Sequence, residues 1–287
     1  MYNKQLSKLI AIITIATFLL SCSKDDVTEI GGPDPVDPAA PYANGFFIIT
    51  EGSYGQTSGT IQFYAYGADT VVTKVYEKEN PEKTIANAAK TSTLQFASVY
   101  DNKLYLTSKL NGPVIKLDAE TLKEEGRYNQ ETSNWRSLIG TKTNEGLLSA
   151  SDGVYAINLG TLTPQYKLTS VSAVNTGDML HAGDYIYILQ SNGAKIISAN
   201  NYSFVKSFSN INRGFAATPN GKVWASTGSR LIAIDKNLDT SGVALPASIG
   251  SFGLDAPTRL TASKKRMLCF IIRALTFINM LMAIRSH

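Results

Sequence analysis

The sequence predicts an all-β protein, a β-propeller of four-stranded blades, and three observations support this fold class. A pattern of four short strands repeats about every 40 residues between Asn44 and Leu260, which is the period of propeller blades. Turn-forming residues separate the apolar runs within each repeat. No stretch after residue 43 has the periodicity of a long amphipathic helix. The alternative is a β-sandwich with accidental internal similarity.

The clearest repeat predicts four consecutive strands joined by tight turns. These strands are Phe96–Tyr100, Lys103–Ser108, Val114–Asp118 and Glu125–Tyr128. The second strand recurs along the chain, with its centres at Tyr105, Leu148, Tyr187 and Trp224. The third strand ends each time on a short polar residue, at Asp118, Asn158, Ser198 and Asp235. Such side chains hydrogen-bond the backbone of a following turn, which suits them to strand ends.

The first repeat begins differently, because its first strand is missing. Phe46–Gly52, Thr60–Tyr64 and Val71–Tyr76 read as its second, third and fourth strands. Propellers often close their ring by letting the end of the chain supply such a strand, which removes two exposed edges. A short turn of helix fits between Pro81 and Lys90.

The last part of the chain departs from the repeat. Residues 266–287 contain no glycine, proline or acidic residue, so they lack the turn residues that propeller strands need. We interpret this tail as the product of a shifted reading frame or a truncated gene; a membrane helix over Met267–Ile284 is the alternative, although Arg273 interrupts it. The sequence therefore predicts a propeller over residues 44–265, with five blades, a fragment of a sixth and an incomplete ring.

The start of the chain carries an export signal. Lys4 and Lys8 precede a short apolar run, and the signal over residues 1–21 ends in Leu19-Leu20-Ser21-Cys22, which resembles a bacterial lipobox. The resemblance implies that Cys22 is lipidated, and residues 22–43 then form a proline-rich tether. The acidic pair Asp25-Asp26 resembles the surface-export signal of Bacteroidota lipoproteins. We therefore expect a lipid anchor in the outer membrane, with the folded part facing the cell exterior.

Charge and cysteine content exclude several functions. Between Ser23 and Leu260 there are 20 basic and 23 acidic residues, so the folded part is mildly acidic and has no electrostatic reason to bind nucleic acid. With Cys22 assigned to lipid, Cys269 has no disulfide partner. Stability must therefore come from an ordinary hydrophobic core.

The opening of the first repeat carries a family resemblance. Residues 44–55, with Gly59 and Ile61–Tyr64, resemble the opening blade of the YncE-like (YVTN-type) propeller lipoproteins of Bacteroidota. The resemblance implies a surface propeller of about seven blades. Some members of that family sit beside TonB-dependent outer-membrane transporters and capture cobalamin. A TonB-dependent transporter and a corrinoid are accordingly the expected partner and ligand.

Propeller geometry predicts where a ligand would bind. The turns between second and third strands and the crossovers from a fourth strand to the next first strand lie on the same face. We call this the crossover face, and its side chains are aromatic, amide and cationic groups that suit a polar ligand with flat faces. The candidates are Tyr54, Gln56, Asn111, Asn134, Trp135, Arg136, Gln190, Asn192 and Arg213. Each also has an ordinary structural explanation, since Asn is a common turn residue and Trp135 has the size to fill a gap between blades.

Sequence signals for enzymatic chemistry are absent, and we expect no enzyme, metal or cofactor. His181 is the only histidine of the folded region, so a histidine-based metal cluster is not available. The chain contains no Gly-x-Ser-x-Gly elbow and no His-Glu-x-x-His motif. Two functions remain in competition: capture of a small molecule for a transporter, and adhesion to a protein or glycan.

Overall fold

The computed structural model describes residues 37–129, 134–245, 260–262, 269–271 and 280–284. The predicted signal peptide, the lipidated Cys22 and residues 23–36 of the tether lie outside these ranges. The described residues form six antiparallel sheets, which we number blades 1 to 6 in chain order. Four sheets have four strands, one has three and one has two, so the predicted propeller of five blades and a fragment is confirmed.

The strands follow the predicted order. Blade 1 contains β1 (Gly45–Thr50), β2 (Thr60–Ala65) and β21 (Met280–Ile284). Blade 2 contains β3 (Thr93–Tyr100), β4 (Lys103–Lys109), β5 (Val114–Asp118) and β6 (Glu124–Tyr128). Blade 3 contains β7 (Trp135–Lys142), β8 (Glu145–Ala150), β9 (Gly153–Asn158) and β10 (Thr163–Lys167). Blade 4 contains β11 (Thr176–Ala182), β12 (Tyr185–Gln190), β13 (Gly193–Ser198) and β14 (Phe204–Phe208). Blade 5 contains β15 (Phe215–Ala217), β16 (Val223–Ser226), β17 (Arg230–Ile234) and β18 (Thr240–Ala244), and β19 (Leu260–Ala262) pairs with β20 (Cys269–Ile271) as blade 6.

The first strands of the blades are innermost, and the fourth strands are outermost. In blades 2 to 5 each first strand contacts the first strand of the next blade along the chain. The fourth strands β10, β14 and β18 are mostly exposed. Apolar clusters fill the gaps between adjacent blades; Trp135 and Leu148 of blade 3, for example, pack with Tyr105 of blade 2. The core is therefore a series of inter-blade layers.

Blade 1 differs from its prediction in its fourth strand. Of Val71–Tyr76 only Val72 pairs with β2, through two hydrogen bonds with Phe63 of 2.8 and 2.9 Å. The chain then forms a helix, α1 (Val75–Glu79), ahead of the predicted helical turn at Pro81–Lys90, where no helix forms. Neighbouring residues Val75 and Tyr76 are both fully buried. The backbone N–H groups of Lys78 and Asn80 donate hydrogen bonds of 3.1 and 2.9 Å to the carbonyl oxygens of Lys74 and Tyr76, which is the bonding pattern of an α-helix.

The tail contributes strands to two blades. β21 pairs with β1 from Phe46 opposite Ile284 to Thr50 opposite Met280, so a strand of the tail takes the place of the strand missing from blade 1. The prediction that residues 266–287 abandon the strand pattern is wrong for β20 and β21. The origin of the tail in a shifted frame stays a prediction.

Strand register corrects one repeat position. Tyr105, Tyr187 and Trp224 each pair with the residue two positions before the polar residue that closes the third strand. In blade 3 that place belongs to Leu147 rather than Leu148. Both leucines are fully buried, so hydrophobicity alone does not distinguish them. A shift of one residue exchanges the two faces of the sheet. Leu147 accordingly packs toward blade 4 and Leu148 toward blade 2.

The polar residue that ends each third strand caps the next turn, as predicted. Asp118 Oδ1 accepts hydrogen bonds from the backbone of Glu120 and Thr121 at 3.0 and 2.9 Å. Equivalent bonds form at Asn158, Ser198 and Asp235. These turns fix the spacing between third and fourth strands in blades 2 to 5.

Candidate functional site

The innermost strands are irregular where they meet the crossover face. In blade 2 the register shifts between Leu94 and Phe96, in blade 3 between Trp135 and Leu138, and in blade 4 between Thr176 and Met179. Each shift inserts one extra residue near the start of the first strand. Such bulges occur often beside functional sites, because they redirect side chains away from the regular pleat.

A charged and aromatic cluster lies on the crossover face between blades 1 and 2. The Lys109 ammonium stands 5.3 Å from the centre of the Tyr54 ring and 3.5 Å from Glu51 Oε1. Gln95, at the bulge of β3, donates from Nε2 to the same Glu51 oxygen at 3.4 Å. Lys109 and Gln95 are buried, whereas the Tyr54 side chain is 65% exposed. The cluster therefore holds an open aromatic ring above a buried cation. We call these four residues the Tyr54 cluster.

A second polar cluster joins blades 3 and 4. Arg136 Nη1 donates hydrogen bonds to Asn175 Oδ1 and to the Thr176 carbonyl oxygen, and the bond to Thr176 is 3.0 Å long. Gln190 Nε2 donates to Thr176 Oγ1 at 3.0 Å and to the Ser172 carbonyl oxygen at 2.9 Å. Arg136 and Gln190 are 4% and 1% exposed. These two predicted site residues thus fix the junction of two blades below the surface, where a surface ligand does not reach them directly.

Trp135 fills the gap between blades 2 and 3. Its side chain is 1% exposed, and its ring meets that of Tyr155 edge to face, with centroids 5.6 Å apart. No face of the indole is open to a flat ligand. Trp135 therefore fills the space between the two blades, as its structural explanation requires.

The remaining candidates lie in turns and crossovers. Gln56 and Asn111 are exposed, as is Asn192 at the turn between β12 and β13. Arg213 is half-buried; its Nη1 donates to Asn212 Oδ1 at 2.9 Å, and its guanidinium packs beside Gly228. Asn134 is half-buried, and its Oδ1 accepts a hydrogen bond of 2.8 Å from the Leu110 backbone. Asn134 thus contacts the turn between β4 and β5 of blade 2. Asn192 and Arg213 lie apart from it, in blades 4 and 5.

Sequence reasoning did not select three residues that the structure places at this face or beside it. Lys109 and Gln95 belong to strands, and their repeat positions gave no functional signal. Asp178 lies in the bulge of β11, where its side chain is half-buried within densely packed protein. Burial raises the pKa of Asp178 to about 7, against a partly offsetting hydrogen bond from the Met179 backbone. One signal was available in the sequence. Gln95, Arg136 and Arg213 each stand two residues before a first-strand residue that pairs at an equivalent place in its blade. Those first-strand residues are Ala97, Leu138 and Phe215.

The described residues hold no group of three or more His, Cys, Asp or Glu side chains arranged to bind a metal ion. His181 lies in β11 and pairs with Ile186 of the next strand. In the part of the chain that the structure describes, no helix has the length and apolar character to cross a membrane.

Comparison with protein families decides the relationship of the chain. The DUF5074 family, described as a domain of unknown function, matches residues 44–280, which is most of the chain. The chain belongs to the DUF5074 family. Its resemblance to the YncE-like, cobalamin-capturing lipoproteins stays a prediction. No curated protein matches this DUF5074 chain.

Two solved structures with a similar fold are distant from this chain in sequence. PorZ, a bacterial surface component of the type-IX secretion system of Porphyromonas gingivalis, superposes with a TM-score of 0.54 at 14% identity, over 75% of this chain and 27% of PorZ. A chain of the nidogen/laminin complex gives a TM-score of 0.51 at 10% identity, over 77% of this chain and 82% of its own length. The DUF5074 chain thus spans about a quarter of PorZ, and at such identities the likeness shows the fold alone.

Proposed function

We propose that the crossover face is a binding site for a small molecule and that the protein is a binding module rather than an enzyme. The Tyr54 cluster carries this proposal. Tyr54 is 65% exposed, and Lys109 beneath its ring is buried and ion-paired with Glu51. An open ring with a fixed cation nearby offers both a stacking surface and a source of polar contacts.

The ligand we propose is a corrinoid such as cobalamin, delivered to a TonB-dependent transporter. A corrinoid has a flat macrocycle that an aromatic ring can stack against, and its rim bears amide groups. The exposed amides of Gln56, Asn111 and Asn192 belong to turns of the crossover face, which suits recognition of such a rim.

Removing the Tyr54 ring tests this proposal. Tyr54→Ala is expected to weaken cobalamin binding up to about tenfold, because stacking on one ring contributes about 0.5–1.5 kcal/mol beyond area burial. Tyr54→Phe keeps the ring and serves as the matched control, with affinity near that of the unaltered protein. Isothermal titration calorimetry with cyanocobalamin measures both. Absence of heat with any corrinoid at micromolar protein would overturn the corrinoid proposal and favour adhesion to a protein or glycan.

We also propose that the protein is a lipid-anchored protein of the outer membrane, with the propeller facing the cell exterior. The lipobox-like Leu19–Cys22 and the acidic Asp25-Asp26 support this. Cys22→Ala is expected to release the protein from membranes, and neutralising Asp25 and Asp26 to leave it membrane-bound but protected from protease added to intact cells. Membrane fractionation and surface proteolysis distinguish the two variants. Protection of the unaltered protein in intact cells would contradict surface display.

A further inference from the structure

The turn between β4 and β5 contains an unusual backbone conformation. Leu110 and Asn111 both have left-handed backbones, with φ of 57° and 59°. Asparagine adopts this region readily, but an apolar side chain with a Cβ is disfavoured there. At the opposite end of β4 the chain makes a similar pair of left-handed residues with Asp101 and Asn102, which are suited to it. Leucine at position 110 is therefore not what the turn itself favours.

The other left-handed leucines of the described chain have an evident compensation. Leu122, Leu162 and Leu238 end turns between third and fourth strands, and their side chains are 0%, 0% and 4% exposed. The free energy gained by burying an apolar side chain offsets the free-energy cost of an unfavourable backbone conformation. Leu110 is only half-buried and belongs to none of the core clusters. Its apolar surface has no such use in the fold.

Two asparagines from neighbouring crossovers hold Leu110 in place. Asn87 Nδ2 donates to the Leu110 carbonyl oxygen at 3.2 Å, and Asn134 Oδ1 accepts from the Leu110 backbone N–H at 2.8 Å. Asn87 is itself fixed, since its Oδ1 accepts from the backbone of Thr91 at 2.9 Å. Both backbone groups of one turn residue are thus held by side chains from outside the turn.

This arrangement places the Leu110 side chain beside the loop that carries Tyr54. Leu110 Cδ1 lies 3.8 Å from the point where a Cβ on Gly55 would stand, and Gly55 follows Tyr54 directly. We infer that Leu110 is a ligand-contacting residue, which Asn87 and Asn134 position so that its apolar side chain extends the surface of the Tyr54 ring. The inference rests on the function proposed above and adds that the bound ligand presents an apolar, flat surface across both blades. Backbone strain kept at a site without a folding benefit is typical of such positioning.

Leu110→Asn tests the ligand contact, because asparagine tolerates the left-handed backbone but removes the apolar side chain. We expect a melting temperature at or above that of the unaltered protein and about tenfold weaker binding of cyanocobalamin by calorimetry. A merely structural leucine would give a lower melting temperature. If the unaltered protein binds and Leu110→Asn binds equally well, the inference is wrong and the proposed function stands.

Asn134 supplies a matched pair of variants for the positioning role. Asn134→Asp keeps an acceptor oxygen for the Leu110 N–H and should bind nearly as the unaltered protein does. Asn134→Ala removes that acceptor and should weaken binding about three- to tenfold. Equal affinities for these two variants would overturn the positioning role. Absence of heat with the unaltered protein would instead overturn the proposed function and, with it, the ligand contact of Leu110.

Discussion

Trp135→Ala is expected to lower the free energy of unfolding by about 3–5 kcal/mol, the range seen when a large buried aromatic side chain is truncated to alanine. Trp135 is 1% exposed and occupies the gap between blades 2 and 3, where it contacts the cluster that contains Leu138 and Leu148. Ala150, directly across the strand pair from Trp135, is too small to fill the space left behind. Urea unfolding followed by circular dichroism measures the loss.

Tyr54→Ala is the control for this measurement. Because Tyr54 is 65% exposed, its removal should change the free energy of unfolding by less than about 0.5 kcal/mol. Trp135→Phe should recover part of the stability by refilling part of the gap. If Trp135→Ala instead kept its stability and lost affinity for cobalamin, the sequence-based interpretation of Trp135 as a stacking residue would replace the structural one.

Trp135 also illustrates how far the sequence predicts the site. Position in the repeat correctly assigns it to the crossover end of a first strand, but the repeat does not reveal whether the ring points outward or between blades. That direction depends on the bulge between Trp135 and Leu138, which shifts the alternation of side chains. Arg136 lies within the same bulge and is buried, whereas Gln190 is buried at the regular end of β12, where it pairs with Thr176 and Gly193.

The fold itself was more predictable than the site. Blades 2 to 5 follow from local signals, since turn residues such as Asp118 and Asn158 act within a few positions of the strands they end. Val71–Tyr76 was mistaken for a strand because Tyr76 is buried by distant partners, and its hydroxyl donates a 2.6 Å hydrogen bond to Glu124 Oε2. Contacts across 48 residues leave no trace in a local pattern.

Asp178→Asn is expected to make the protein more stable at neutral and alkaline pH. Burial raises the pKa of Asp178 from 3.8 to about 7, so the folded protein favours the protonated carboxyl. This preference stabilises the folded protein fully below pH 4, and the stabilisation is lost as the pH rises to 7. Since one pKa unit corresponds to about 1.4 kcal/mol, the loss is at most about 4 kcal/mol, and the partial exposure of the side chain lowers it.

Measuring the free energy of unfolding of Asp178→Asn and of the unaltered protein across pH separates the effect of Asp178 from that of the other carboxyl groups. The pKa of Asp152 is lowered by its hydrogen bonds from Lys167 and Tyr155 against an opposing desolvation, so its contribution has the opposite sign and is lost as the pH falls. Urea unfolding at pH 4 to 8 should therefore show equal stabilities for Asp178→Asn and the unaltered protein near pH 4 and a growing advantage for the variant toward pH 7. Asp152→Asn, as the control, should lose stability at neutral pH and approach the unaltered protein in acid. Parallel profiles for Asp178→Asn and the unaltered protein would show that the Asp178 carboxyl is well solvated and ionises as it does in the unfolded chain.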